Sequence, residues 1–236
     1  MLCPQRGRNK MNFKNKLITA CEKNNSLICV GLDPDINKIP EDFRSQQNSL
    51  YLFNKEIIDS THDLVCAYKP QVAYYSAIGA ERDLEMTIDY IHSKYPDIPV
   101  VLDAKRGDIG STAEMYAKEV FVRYKCDAVT VNPYMGTDTV LPFTKNKDKG
   151  IIILCKTSNP GSNDFQNIKS EGEFLYMKIV NKALSEWNEN ENILFVIGAT
   201  FPYEMQAVRA IAPDIHFLVP GIGAQGGSIK DVVING

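Results

Sequence analysis

Ile98-Pro-Val-Val-Leu102 runs directly into Asp103-Ala-Lys105-Arg-Gly-Asp108, an apolar stretch that stops on charge. The first five residues are short, apolar and partly β-branched, which predicts a buried strand. Side chains two apart on a strand share a face, so Asp103 and Lys105 are expected to point the same way at its C-terminal end. A carboxylate beside an ammonium favours the charged form of the lysine. Such a pair suits a reaction that builds negative charge and then needs a proton. The plainer alternative is a surface ion pair worth about 0–1 kcal/mol. Leu64-Val-Cys-Ala-Tyr68 is a second apolar run, and it ends in Lys69-Pro70. Two strands of that layout suggest one mouth where Lys69, Asp103, Lys105 and Asp108 converge.

The same alternation extends along the chain. Strands are predicted at Leu27–Gly31, Leu64–Tyr68, Ile98–Asp103, Ala128–Asn132, Gly150–Cys155, Ile193–Ile197 and Ile215–Val219. They are continuous apolar runs, as expected of parallel strands covered on both faces. Helical faces fall between them: Leu84, Ile88, Ile91 and Tyr95; Ala113, Ala117, Val120 and Tyr124; Tyr176, Val180, Leu184 and Trp187. Ser111-Thr-Ala-Glu114 and Ser170-Glu-Gly-Glu173 have capping-box spacing. Repeated βα units with no linker predict a single (β/α)-barrel domain over residues 1–236, an open doubly wound sheet being the alternative. In both, working residues lie at the C-terminal ends of the strands.

The bulk properties narrow the function. The chain has 236 residues, 44% hydrophobic and 23% charged, an ordinary globular composition. A net charge of −3 and a pI near 5.7 leave no electrostatic footprint for nucleic acid or an anionic membrane. No apolar stretch reaches the roughly 18–20 residues of a membrane span. Met1 to Lys10 is polar and basic without an apolar core, unlike a secretory signal, and reads as a disordered extension before a helical pattern that begins at Met11. The six cysteines form no Cys-x-x-Cys pair and suit buried reduced thiols, hence a cytoplasmic protein. The three histidines have no metal-ligand spacing.

Three further segments carry polar groups at strand ends. Asp33-Pro-Asp35 closes the first strand. It reads as the start of a Mg²⁺-dependent aspartyl phosphotransferase site, as a turn, or as an anchor for a substrate hydroxyl, which we favour. Gly221-Ile-Gly223-Ala-Gln-Gly226 matches Gly-x-Gly-x-x-Gly but follows the last strand, and the ten residues after it leave no room for a βαβ unit with an acidic residue about 20 positions on. A monophosphate cradle at a helix N-terminus, with Gln225 reaching over it, fits better. Lys156-Thr-Ser-Asn-Pro-Gly161 and Ser162-Asn-Asp-Phe-Gln166 form a polar loop that suits either a lid or an ordinary surface loop. Asp108 has a second reading, as an acceptor for amides at the start of the helix near Ser111.

Asp103-x-Lys105-x-x-Asp108, Lys69 in Ala67-Tyr-Lys-Pro70, Gly31-Leu-Asp-Pro-Asp35 and Pro220-Gly-Ile-Gly-Ala-Gln225 together resemble the orotidine 5′-phosphate decarboxylase family. The string Asp103 to Thr112 and Asn132-Pro-Tyr-Met-Gly136 are similar to its long bacterial subgroup and parasite relatives. The resemblance runs from Met11 to Gly236. It implies a TIM-type (β/α)8 barrel and decarboxylation of orotidine 5′-monophosphate to uridine 5′-monophosphate, with no metal or organic cofactor. It implies catalytic roles for Lys105, Asp103, Lys69 and Asp108. Substrate would be bound by Asp33 and Thr112 at the ribose, Ser158 at the pyrimidine, and Pro220, Gly223 and Gln225, the last at the phosphate. It also implies a homodimer with shared sites, Asp108 and Thr112 acting across the interface.

The family pattern further implies an eighth strand followed by a phosphate-clamping Arg. Only seven strands are evident in this sequence, so the expectation is a fragment lacking the C-terminal βα unit and a charge-assisted bond of about 1.5–3 kcal/mol. Two other readings compete: a related Mg²⁺-dependent sugar-phosphate lyase or aldolase, and a catalytically silent nucleotide-binding fragment.

Overall fold

Runs of β-branched and aliphatic residues build the sheet because both of its faces are covered. In the computed structural model, which describes residues 11–223 and 225–236, the strands Ala128–Val131 and Ile193–Ile197 are buried at every position. The proposed extension Met1–Lys10 lies outside the described residues. Packing divides the chain into residues 11–103 with 120–128, and residues 104–119 with 129–236.

In the first unit, β1 (Cys29–Leu32) pairs in parallel with β2 (Ala67–Pro70), Cys29 opposite Ala67 and Gly31 opposite Lys69. Parallel bridges from Tyr68 to Val100 and from Gln71 to Asp103 continue the pairing to β3 (Val101–Arg106). The helix Phe13–Asn24 opens on Asn12, whose side chain accepts the Asn15 amide, and closes on a left-handed Asn25. The helix Glu81–Lys94 buries Leu84, Ile88 and Ile91, the expected face.

In the second unit the sheet order is β3, β4 (Ala128–Val131), β5 (Gly150–Lys156), β8 (Ile193–Ile197), β9 (Phe217–Leu218). A two-residue hairpin, β6 (Lys169–Ser170) with β7 (Glu173–Phe174), interrupts that order in sequence. β5 and β8 are parallel, with a register shift between Leu154 and Lys156. Every residue of β5 is buried except the half-buried Leu154 at that irregularity, and Lys156 is the one charged residue among them.

Several expectations need correction. β1 and β2 begin two and three residues later than the apolar runs suggested, because Leu27 and Leu64 are exposed despite being apolar. Lys69-Pro70 lies inside β2 rather than after it, and β3 begins at Val101 and runs on through Arg106, three residues past its expected end at Asp103. β9 spans only two of the five residues expected.

Neither capping box forms. The helix Gly110–Lys118 starts before Ser111 with no side-chain cap, and Ser170 to Glu173 is the hairpin, turned by left-handed Glu171 and Gly172. Leu184 is only half-buried because the helix Leu175–Lys182 passes into a π-turn over Ala183–Trp187, whose extra residue per turn shifts the buried face to Ala183.

No described helix is long and apolar enough to cross a membrane. One half-buried carboxylate joins three segments of the first unit. Asp127 accepts from Lys16 Nζ at 2.9 Å, His92 Nε2 at 3.2 Å and the Val100 amide at 2.9 Å. Burial opposes its ionisation, but these partners outweigh that and hold its carboxyl well below the usual range. A depressed folded pKa stabilises above the unfolded value, and the gain is lost as pH falls through the folded one. Asp127→Asn is expected to cost about 1.5–3 kcal/mol at neutral pH. Denaturant titration should show that gap narrowing below about pH 4.

Candidate active site

The first unit holds a triad of charges at its strand ends. Lys69 Nζ lies 3.1 Å from Asp103 Oδ2 and 3.9 Å from Asp33 Oδ1, and the Lys69 and Asp103 side chains are largely out of water. The β1–β2 register accounts for the meeting: Gly31 faces Lys69, so the chain leaving β1 carries Asp33 past that end. Burial lowers the Lys69 pKa, but Asp103 and Asp33 more than offset it, leaving the ammonium above its ordinary value. The pair's contribution to folding is therefore present below the lysine reference near about 10.4 and fades only at higher pH. Asp35, the other carboxylate of the first-strand motif, makes a turn. It accepts the Asn37 amide at 3.0 Å and pairs with Lys38 at 3.2 Å.

In the second unit, Lys105 is exposed and sits in the left-handed region at φ 45°, uncommon for a residue with a side chain. The two-residue alternation expected to align Asp103 and Lys105 holds only for extended backbone, and Lys105 leaves it. The buried Thr130 hydroxyl on β4 accepts the Ala104 and Lys105 amides at 3.0 and 2.9 Å. The Asn132 amide donates to Arg106 O at 2.8 Å, and Arg106 forks onto Glu119 at 2.9 and 2.8 Å. Asp108 follows in the turn, half-buried, with Oδ1 accepting the Ile109 amide at 2.8 Å. That is its helix-start reading in local form. Thr112 is exposed in the first turn of Gly110–Lys118.

The loop residues of the second unit pack around two glycines. A Cβ on Gly198 would fall 2.5 Å from Ser158 Cα, and one on Gly221 would fall 2.9 Å from Gln225 Oε1 and 3.1 Å from Ser158 Cβ. Ser158 and Gln225 therefore both flank Gly221, and Pro220 O accepts the Ala199 amide at 2.8 Å beside them. The amides of Gly223, Gly226 and Gly227 donate to carbonyls within the glycine loop, so these three are engaged rather than turned outward to a cradle. The polar loop after β5 is pinned at its base, where Thr157 and Gln166 exchange two bonds of 2.9 Å.

Lys156, expected as the first loop residue, instead ends β5 fully buried. It donates to Ser162 Oγ and Asn163 Oδ1 at 2.9 Å and sits 4.0 Å from the Phe201 ring centroid. Burial, only partly countered by Glu204, pulls its pKa down. Neither Thr130 nor Lys156 stood out in the sequence. The available signal was a single polar residue within, or ending, an otherwise apolar strand.

Residues 26–235 match the family described as orotidine 5'-phosphate decarboxylase / HUMPS. The chain belongs to that family. An orotidine 5'-phosphate decarboxylase of Cellvibrio japonicus (strain Ueda107) is 54% identical over 225 residues, covering 94% of this chain and 82% of the relative. Among solved structures, Leishmania donovani OMP decarboxylase is 39% identical with a TM-score of 0.84, covering 96% of this chain and 84% of that one. Leishmania donovani UMP synthase is 41% identical with a TM-score of 0.85, over 96% of this chain and 48% of that one. The fold class is that of these neighbours, the TIM-type (β/α)8 barrel.

The glycine packing makes a paired prediction. Gly198→Ala must displace the Ser158 backbone and is expected to cost about 1–3 kcal/mol. Gly31→Ala meets the Asp33 carboxylate only at 3.5 Å, ordinary contact, and should change stability by no more than about 0.5 kcal/mol. Thermal melting of the two variants checks both.

Proposed function

We propose that the chain is a carboxy-lyase that converts orotidine 5′-monophosphate to uridine 5′-monophosphate and CO2, the last step of de novo pyrimidine synthesis, without metal or organic cofactor. The observation that carries this reading is Lys69 tied to Asp103 and Asp33 at the ends of neighbouring strands. Losing CO2 from C6 leaves an electron pair in a ring orbital with no electron sink. Stabilisation must then be electrostatic, and charges already fixed by the fold need no reorganisation as the pair develops.

In this reading the C6–carboxyl bond breaks, CO2 departs, and the electron pair stays on C6. The Lys105 ammonium stabilises that charge and then gives C6 its proton, recovering one from water. Asp103 lies near the departing carboxylate, and Lys69 and Asp108 complete an alternating array. Asp33 and Thr112 hold the ribose, Ser158 the pyrimidine, and Gln225 the phosphate, with Pro220 and Gly223 shaping the loop beside it. The approach of Ser158 and Gln225 to Gly221 supports giving those two a common ligand.

The homodimer with Asp108 and Thr112 shared across it belongs to the same proposal. Its support is that the segment bearing them exposes Ile109 and Met115, at 52% and 54%. Sedimentation of the purified chain measures it. A cytoplasmic location is proposed on the free thiols of the five described cysteines.

The test is the absorbance change of orotidine 5′-monophosphate with the purified chain. Turnover is expected to survive EDTA, whereas its loss would favour the Mg²⁺-dependent lyase. Lys105→Ala should abolish turnover while uridine 5′-monophosphate still binds. Full activity in that variant would remove Lys105 from the mechanism.

A further inference from the structure

Thr130 is a polar residue in the otherwise apolar strand Ala128-Val-Thr-Val131, 1% exposed. Its Oγ1 accepts from two consecutive amides, Ala104 N at 3.0 Å and Lys105 N at 2.9 Å. Consecutive amides of an extended strand point to opposite edges and cannot share an acceptor. They converge only where the backbone turns, as in the concave nests made by successive N–H groups, and Lys105 supplies that turn at φ 45°. A hydroxyl oxygen has two lone pairs and so can accept both.

The residues that follow are braced by other means. Arg106 O takes the Asn132 amide, and Gly107 lies so close to Asn132 that an added Cβ would come within 3.1 Å of its carbonyl oxygen. Arg106 is clamped on Glu119 and stacks over the Tyr116 ring at 4.6 Å.

We propose that Thr130 is a positioning residue for Lys105: its hydroxyl holds the left-handed backbone at 105 and so sets the direction in which that ammonium leaves the strand. The inference rests on Lys105 being the proton donor of the proposed decarboxylation. Valine has nearly the same shape and an equal liking for strands, but it offers neither amide an acceptor. Serine keeps the acceptor and gives up a methyl group.

The test measures decarboxylation under single-turnover and steady-state conditions, uridine 5′-monophosphate binding and thermal melting. The proteins are wild type, Thr130→Val, Thr130→Ser, Lys105→Ala and the Thr130→Val/Lys105→Ala double variant. Misplacement of a reacting group by about 1 Å can cost about 100-fold in rate. Thr130→Val is expected to lose about that factor in kcat with KM and product affinity nearly unchanged, and Thr130→Ser to restore most of it. Residues acting as one unit are not additive, so Thr130→Val should change the residual rate of Lys105→Ala little.

Wild-type kcat in Thr130→Val, an equal loss in Thr130→Ser, or a further loss of about 100-fold in the double variant would each overturn the assignment. If the valine variant does not fold, Thr130→Ala takes its place. If neither folds, the hydroxyl serves stability and the assignment is overturned. Full turnover in Lys105→Ala would sink the underlying reading, whereas an inactive Lys105→Ala beside a fully active Thr130→Val sinks this inference alone.

Discussion

An ammonium and a carboxylate held 3.1 Å apart on neighbouring parallel strands, both largely removed from water, are the interaction on which the site depends. Taking either ion out of water alone costs several kcal/mol, and removing one partner of such a pair leaves the other uncompensated. Lys69 and Asp103 therefore have to be kept together, and the strands keep them so. The ladder fixes Gly31 against Lys69, and parallel bridges carry the pairing on to Asp103. Asp33 adds a second carboxylate at 3.9 Å, so the ammonium stays charged in spite of its burial.

The same covered sheet made the strands legible. A short continuous aliphatic run has to be hidden on both faces, which a covered parallel strand does, and all seven expected strands exist. Their limits were less legible, because the apolar signal does not say which residues of a run face the interior. Leu27 and Leu64 are apolar yet exposed, while Lys69 and Asp103 are charged yet belong to the ladder. The strand-end charges could be found because they punctuate apolar runs. Thr130 could not, since one polar residue at a strand position becomes informative only when its partners are known; Lys156 carries the same punctuation but reads as the first residue of the polar loop. Ser170 to Glu173 shows the opposite failure: a spacing rule for helix starts fits a hairpin equally well when Glu-Gly supplies two left-handed residues.

Lys105 shows local preference giving way to tertiary structure. A non-glycine residue in the left-handed region costs on the order of 1–3 kcal/mol and persists only where its surroundings over-determine it. Here the surroundings are Thr130 beneath the two amides, Asn132 beside Arg106 and Gly107, and the Arg106–Glu119 fork. All of these act on the backbone or on neighbouring side chains, so they hold the bend itself. A glycine at 105 would relieve the backbone and remove the amine together, so on the proposed mechanism the proton donor must also be the strained residue.

The division between charged and neutral groups follows from what each must do. Charges that stabilise a transient carbanion are most effective when immobile, because any motion they must make during the reaction adds to the barrier. On the proposed mechanism the charges with that task, Lys69, Asp103 and Lys105, are carried by strands. Ser158 and Gln225 are neutral and carried by loops, although these loops are tightly seated, with Ser158 against Gly198 and Gln225 against Gly221. Neutral hydrogen bonds are individually modest and lose little when exchanged for water, so loop groups can release a product that fixed charges would hold. The buried Lys156 ammonium belongs to neither class: bound to Ser162 and Asn163 under the loop, it lends the rigidity of β5 to a segment that has no strand of its own.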